Sequence, residues 1–189
     1  MPKTAGSSFR LTLESVYGDD LAAVYDGAGV DGRAYRAVHG HFSPSQFWSA
    51  GRHARLVTWL RDPVERIRSY YDFWRVTAPH GNPNHDEFLR REMSLVEFAG
   101  WHPIRTEFTS TYVPGLRPDD FFFIGLTERY DDDLARLAEL LGWNVVLPAR
   151  ENVTPGERST VDAATRREIE QLHAAEVAWY RGVTPAPPM

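Results

Sequence analysis

Two short apolar runs constrain this chain most: Leu56-Val57-Thr58-Trp59-Leu60 and Phe121-Phe122-Phe123-Ile124-Gly125. Each is too short for a buried helix and shows no polar alternation, so each reads as a strand covered on both faces. A helix start follows each of them. After the first, Asp62, Pro63 and Glu65 stand as N-cap, first helical residue and capping-box partner, opening a helix to about residue 75. After the second, 127–141 is amphipathic, carries Asp131, Asp132 and Asp133 at its front, and stops at Gly142. Strands alternating with helices build a central, mostly parallel sheet flanked by helices, so the expected class is α/β in three layers.

The rest of the chain extends this pattern. Residues 9–17 are spaced for a helix that stops near Gly18, and 21–25 and 35–42 read as strands. Ser43, Pro44 and Gln46 read as the start of a short helix through Phe47 and Trp48, and Ser94 with Glu97 as a capping box opening helical structure towards Tyr112. A Pro/Asn/His-rich loop is expected at 76–93, loop with short extended pieces at 144–159, and one long helix at 161–180. The expectation is a single domain over 1–182 with a disordered tail at 183–189. Trp48, Trp59, Trp74, Tyr70 and Tyr71 read as core. Arg66 and Arg68 read as solvated helix charges, and His53, His80, His85, His102 and His173 as surface or loop residues.

Composition narrows the chemistry. The chain has no Cys, which removes disulfides, thiolate metal sites and Cys nucleophiles. Its net charge is −5, against general nucleic-acid binding. No apolar run approaches the roughly 20 residues of a membrane helix, so no membrane span is expected; the expected setting is cytoplasmic. Of 21 basic side chains, the only lysine is Lys3. Where a sequence has otherwise turned to Arg, a retained Lys either survives by chance or supplies a compact ammonium that a guanidinium cannot replace.

Lys3 lies in Pro2-Lys3-Thr4-Ala5-Gly6-Ser7-Ser8, a run of small and polar residues that feeds a helix N-terminus. Small residues let backbone N–H groups approach an anion, the helix dipole adds positive potential, and the hydroxyls of Thr4, Ser7 and Ser8 add donors. The alternative is a plain Ser/Thr-rich helix start without a ligand. A Walker A loop places its Lys late, whereas here it comes first. Such a loop ordinarily follows a buried strand. The expectation is that this first strand is truncated, or that Met1 is its last residue.

Two further constellations could carry chemistry. Arg61 stands where the first apolar strand meets a helix N-terminus, a common ligand position in open α/β sheets. Ser69 lies on the same helical stripe, roughly 10 Å up the axis. The two could grip one anionic group, or Arg61 could simply pair with a neighbouring acid. His39-Gly40-His41 ends a strand, where residues two apart share a face. A neutral imidazole there suits removal of a hydroxyl proton; a metal site lacks a third ligand at nearby spacing.

In order, PKTAGSS, HGHF and LRDPVERIRSYY resemble the motifs of the sulfotransferases that use 3′-phosphoadenosine 5′-phosphosulfate (PAPS). The resemblance is closest to the heparan/uronyl 2-O-sulfotransferase-like group of carbohydrate sulfotransferases and covers residues 2–75, continuing more loosely through 122–141 and the final helix. It implies a P-loop-like fold. It implies that Pro2, Lys3, Thr4, Ala5, Gly6, Ser7 and Ser8 bind the 5′-phosphosulfate, with Lys3 on the bridging oxygen of the leaving phosphate. Arg61 and Ser69 would hold the 3′-phosphate, His41 would be the catalytic base and His39 its support. Residues 152–159 match the stretch that closes over the nucleotide in relatives, with Arg158 a further 3′-phosphate contact. The implied reaction moves a sulfuryl group from PAPS to a hydroxyl acceptor, expected to be a saccharide, without a metal. The alternatives are a P-loop-type nucleotide kinase or hydrolase, and a non-catalytic nucleotide-binding module.

Overall fold

Helix α1, Gly6–Tyr17, buries Phe9 and Leu13 on one stripe with Ser8 and Thr12 between them, and ends at Gly18 with φ 50°. This is the helix expected after the opening loop. A computed structural model describes residues 1–25, 31–45, 54–79, 81–144 and 158–183. The chain divides into two compact units, Met1–Leu60 with Thr111–Asn152, and Arg61–Ser110 with Val153–Met189.

The first unit contains all four strands found among the described residues. β1, Leu21–Val24, pairs in parallel with β2, Ala37–Gly40, in a register running from Leu21 opposite Ala37 to Val24 opposite Gly40. β3, Val57–Leu60, pairs in parallel with β4, Phe123–Leu126, from Val57 opposite Phe123 to Leu60 opposite Leu126. The strands are parallel, as the sequence implies, and the class is α/β with more helix than strand. Among the described residues they form two separate two-stranded sheets.

The core of this unit joins α1 (Phe9, Leu13) to Trp59, Phe123 and the inner face of α6, Tyr130–Leu141. Gly125 is required there, because a Cβ would lie 2.3 Å from the Trp59 ring. The acids at the front of α6 do more than complement its dipole. Asp133 is buried, accepts the Leu126 N–H at 2.8 Å, and pairs with Arg129 and Arg136, which ties the end of β4 to the helix.

The second unit is helical. α2, Pro63–Val76, starts as expected: the Asp62 carboxylate accepts the Glu65 N–H at 3.0 Å and Pro63 stands first. The Glu65 side chain does not close a capping box; it pairs with Arg68 and Arg166 instead. α4, Leu95–Gly100, has the complete box at Ser94 and Glu97, and α5, His102–Glu107, follows it. The expected loop at 76–93 contains a helix, α3, Pro83–Arg91, capped by Asn82 with Pro83 first. The expected single helix at 161–180 is two, α7, Ala163–Leu172, and α8, Ala174–Val183, meeting at His173, whose ψ of 31° leaves the helical range. Val183 therefore closes a helix, and the rest of the expected tail lies outside the described residues, as does the expected loop between 145 and 157.

Three side chains expected at the surface are buried in this unit. Arg66 is fully buried on the inner face of α2, with its guanidinium bonded to both carboxylate oxygens of Glu176 and with Glu107 3.9 Å away. His173 is buried and donates from Nε2 to the Ala99 carbonyl at 3.0 Å. His85 is buried between Trp74 and Phe88, with Nε2 donating to the Trp74 carbonyl at 2.8 Å. In each case a partner from another element takes at least one polar atom of the side chain, which offsets part of the cost of burial. His102 is exposed, and His53, His80 and Trp48 lie outside the described residues. Among the described residues no helix is long and apolar enough to cross a membrane.

Candidate functional site

The opening loop bends through two left-handed residues that are not glycine, Lys3 with φ 62° and Ala5 with φ 60°. Each such residue costs on the order of 1 kcal/mol or more, and such strain clusters where a loop is held for a ligand. Among the described non-glycine residues only Glu92, at the end of α3, also has a positive φ. α1 begins at Gly6, so Gly6, Ser7 and Ser8 form its first turn, and no side chain caps it. The first N–H groups of a helix are those that bind anions. Thr4 is buried and its hydroxyl donates to the Met1 carbonyl at 3.0 Å, so this hydroxyl closes the loop. Ser7 is exposed, whereas Pro2, Lys3, Ala5 and Gly6 are half-buried and Ser8 is buried.

The histidine pair stands at the end of β2. The His41 N–H donates to the Val24 carbonyl at 2.9 Å, carrying the β1–β2 ladder one step further. Between the imidazoles, Gly40 presses against that same carbonyl, where a Cβ would lie only 1.7 Å away. Only glycine lets the strand pass there. His39 packs against Phe9 of α1, edge-on, with centroids 5.9 Å apart. Phe9 directly follows the loop, so the first unit brings the loop and the histidine pair together.

Two tyrosines complete this corner. The Tyr25 hydroxyl shares a 2.8 Å hydrogen bond with His39 Nδ1, and its ring stands edge-on to His41 at 5.3 Å. Tyr112 approaches His41 at 6.2 Å. Burial among these rings pushes His39 down to about 4, and it moves the more exposed His41 in the same direction. Both imidazoles are therefore neutral at pH 7, with a lone pair available to take a proton.

The remaining expected residues belong to the second unit. Arg61 directly precedes the Asp62 cap of α2 and is half-buried. Ser69 lies along the same helix, also half-buried. Arg158 is exposed, and its neighbour Ser159 bonds to Asp72, one turn beyond Ser69 on α2. Residues 152–157 of the matching stretch lie outside the described residues.

No family model, curated protein or solved structure matches this chain.

Sequence reasoning missed Tyr25, Tyr112 and Asp72. A signal for Tyr25 existed: pairing 21–25 in parallel with 37–41 places it beside the histidines. Asp72 and Ser159 are 87 residues apart. No local pattern announces such a pair.

Proposed function

We propose that the chain is a PAPS-dependent sulfotransferase with a P-loop-like site, transferring a sulfuryl group to a hydroxyl acceptor, expected to be a saccharide. One observation carries the reading: the strained, uncapped loop with the chain's only lysine is packed, through Phe9 and His39, against a strand end bearing two neutral imidazoles. An anion-binding loop beside a base is what transfer from an anionic donor to a hydroxyl needs.

The loop and the first turn of α1 would bind the 5′-phosphosulfate through backbone N–H groups and Ser7. The acceptor oxygen attacks sulfur in line with the bond from sulfur to the 5′-phosphate oxygen. As the new S–O bond forms, that bond breaks and negative charge collects on the leaving oxygen. The Lys3 ammonium, a compact charge on a flexible stem, neutralises it there, where stabilisation counts towards the rate. His41 accepts the acceptor's proton. The products are a sulfate ester, adenosine 3′,5′-bisphosphate and a protonated His41. His39, bonded to Tyr25, supports its neighbour. The resemblance assigns the 3′-phosphate to Arg61, Ser69 and Arg158.

Thermal-shift titration tests this reading, because a ligand that binds the folded state raises its stability. Adenosine 3′,5′-bisphosphate should stabilise the protein without magnesium. Stabilisation by ATP with magnesium alone would overturn the proposal in favour of a nucleotide kinase or hydrolase.

A further inference from the structure

Tyr25 directly follows β1 and meets both imidazoles. Its hydroxyl shares the 2.8 Å bond with His39 Nδ1, and its ring stands edge-on to His41. The main chain sets this position. Val24 pairs with Gly40, and the His41 N–H on the Val24 carbonyl carries the ladder on, which brings Tyr25 level with His41. No step of the reaction uses the hydroxyl, yet it decides what His39 can do. A phenol is a stronger acid than a neutral imidazole N–H, and an imidazole nitrogen is a stronger base than a phenol oxygen. The hydrogen between them therefore sits on the Tyr25 oxygen, and burial pushes the phenol up, which strengthens that hold. With Nδ1 accepting, the neutral His39 ring carries its own hydrogen on Nε2. Such a ring has no lone pair left for a further proton. His41 differs. Among the described residues no hydrogen bond engages its ring nitrogens, and it meets Tyr25 and Tyr112 in edge-on contacts alone. Two neutral imidazoles on one strand face are thus unequal.

Resting on the sulfotransferase reading, we propose that Tyr25 is a positioning residue that reserves the role of base for His41: its hydroxyl donates to His39 Nδ1, fixes His39 as the Nε2–H tautomer, and so leaves the pair a single lone pair for the acceptor's proton. Tyr25 keeps its own proton throughout. As the acceptor oxygen attacks sulfur, its proton passes to the free nitrogen of His41. His39 stays neutral beside the new imidazolium, where a second positive charge would be repelled.

Long-range proton–nitrogen NMR spectra of the nitrogen-15-labelled protein at pH 7 report the tautomer of each ring without any substrate. Wild-type His39 should show the Nε2–H form alone. Tyr25→Phe, which keeps the ring and drops the hydroxyl, should give a mixture of the two tautomers, and the same spectra show that the variant is folded. In transfer from PAPS, His41→Ala should cost about tenfold less in the Tyr25→Phe background than in the wild-type one, because the released His39 offers a lone pair on the same face. A mixed or Nδ1–H ring in the wild-type protein would overturn the role of Tyr25 and leave the sulfotransferase reading standing. So would an unaltered tautomer in Tyr25→Phe, or an equal cost of His41→Ala in both backgrounds. A wild-type protein with the single tautomer and no transfer from PAPS would overturn the sulfotransferase reading instead, and the reserved base with it.

Discussion

The two units place their polar side chains differently. In the second, charges answer other charges, the buried Arg66 by Glu176 and Glu107 and, at the start of α2, the half-buried Asp62 and Glu65 by Arg166, an arrangement the first unit repeats at Asp133 with Arg129 and Arg136. In the first, the notable polar groups stand at the mouths of elements. The loop has left-handed residues and an uncapped helix behind it, and the imidazoles sit at a strand end, kept neutral by surrounding rings. The buried Arg66 network holds its unit together, whereas the loop and the imidazoles stand open to a ligand. On the proposed reaction, changes at the loop and the histidine pair should therefore cost rate more than stability, and changes at Arg66 or Glu176 the reverse.

The largest effect should come from His41→Ala. It removes the proposed base, so on that reading transfer from PAPS should fall by roughly 10²–10⁴-fold, while bisphosphate binding in a thermal-shift assay remains. Lost binding would mean that the histidine holds structure instead, and would erase the contrast. Next comes Glu176→Ala, which leaves Arg66 buried without its main partner. Burial pushes the Glu176 carboxyl up, but the guanidinium outweighs this and holds it below its usual range. Removing it should cost about 3–5 kcal/mol in urea denaturation. A change below 1 kcal/mol would show that the pair is not what holds the unit.

Lys3→Arg keeps a positive charge but changes its shape. The rate should fall on the order of tenfold, about 1.4 kcal/mol of barrier, with bisphosphate affinity nearly unchanged. An unchanged rate would make the lone lysine an accident of composition.

Acid sharpens the comparison further. His39 has a folded pKa of about 4 against 6.5 in a free side chain. Between those values the unfolded chain binds more protons, so this group makes stability rise with pH across that window and adds nothing further above it. Urea midpoints at pH 5 and pH 7 should differ in that direction, and His39→Gln should flatten the difference. The acid limb of kcat/KM should lie below 6.5, because His41 is shifted the same way. The smallest effect is Ser94→Ala, which opens the α4 capping box for about 1 kcal/mol by denaturation and leaves transfer untouched.

What could be read in advance follows the same division. The opening loop, the histidine pair and the caps of α2 and α4 depend on neighbours within a few residues, so sequence order displays them. Glu176 sits 110 residues from Arg66, and an arginine within an amphipathic helix looks solvated until its partner is known. α3 was hidden by its own composition: Asn82 and Pro83 belong equally to a loop and to a helix start, and the start prevailed. At His173, where the final helix breaks, the ring is bonded to the Ala99 carbonyl, a long-range contact that periodicity does not register.

Gly40 has a consequence for redesign. With no room for a methyl group against the Val24 carbonyl, the main chain fixes which face of the strand the two imidazoles share, while Tyr25 and Phe9 set how the His39 ring lies on it. Aromatics other than these two can then be randomised to search for new acceptors without turning the pair to the other face. An insertion of one residue on either side of Gly40 would turn one ring to the opposite face, and no compensating substitution elsewhere would bring it back.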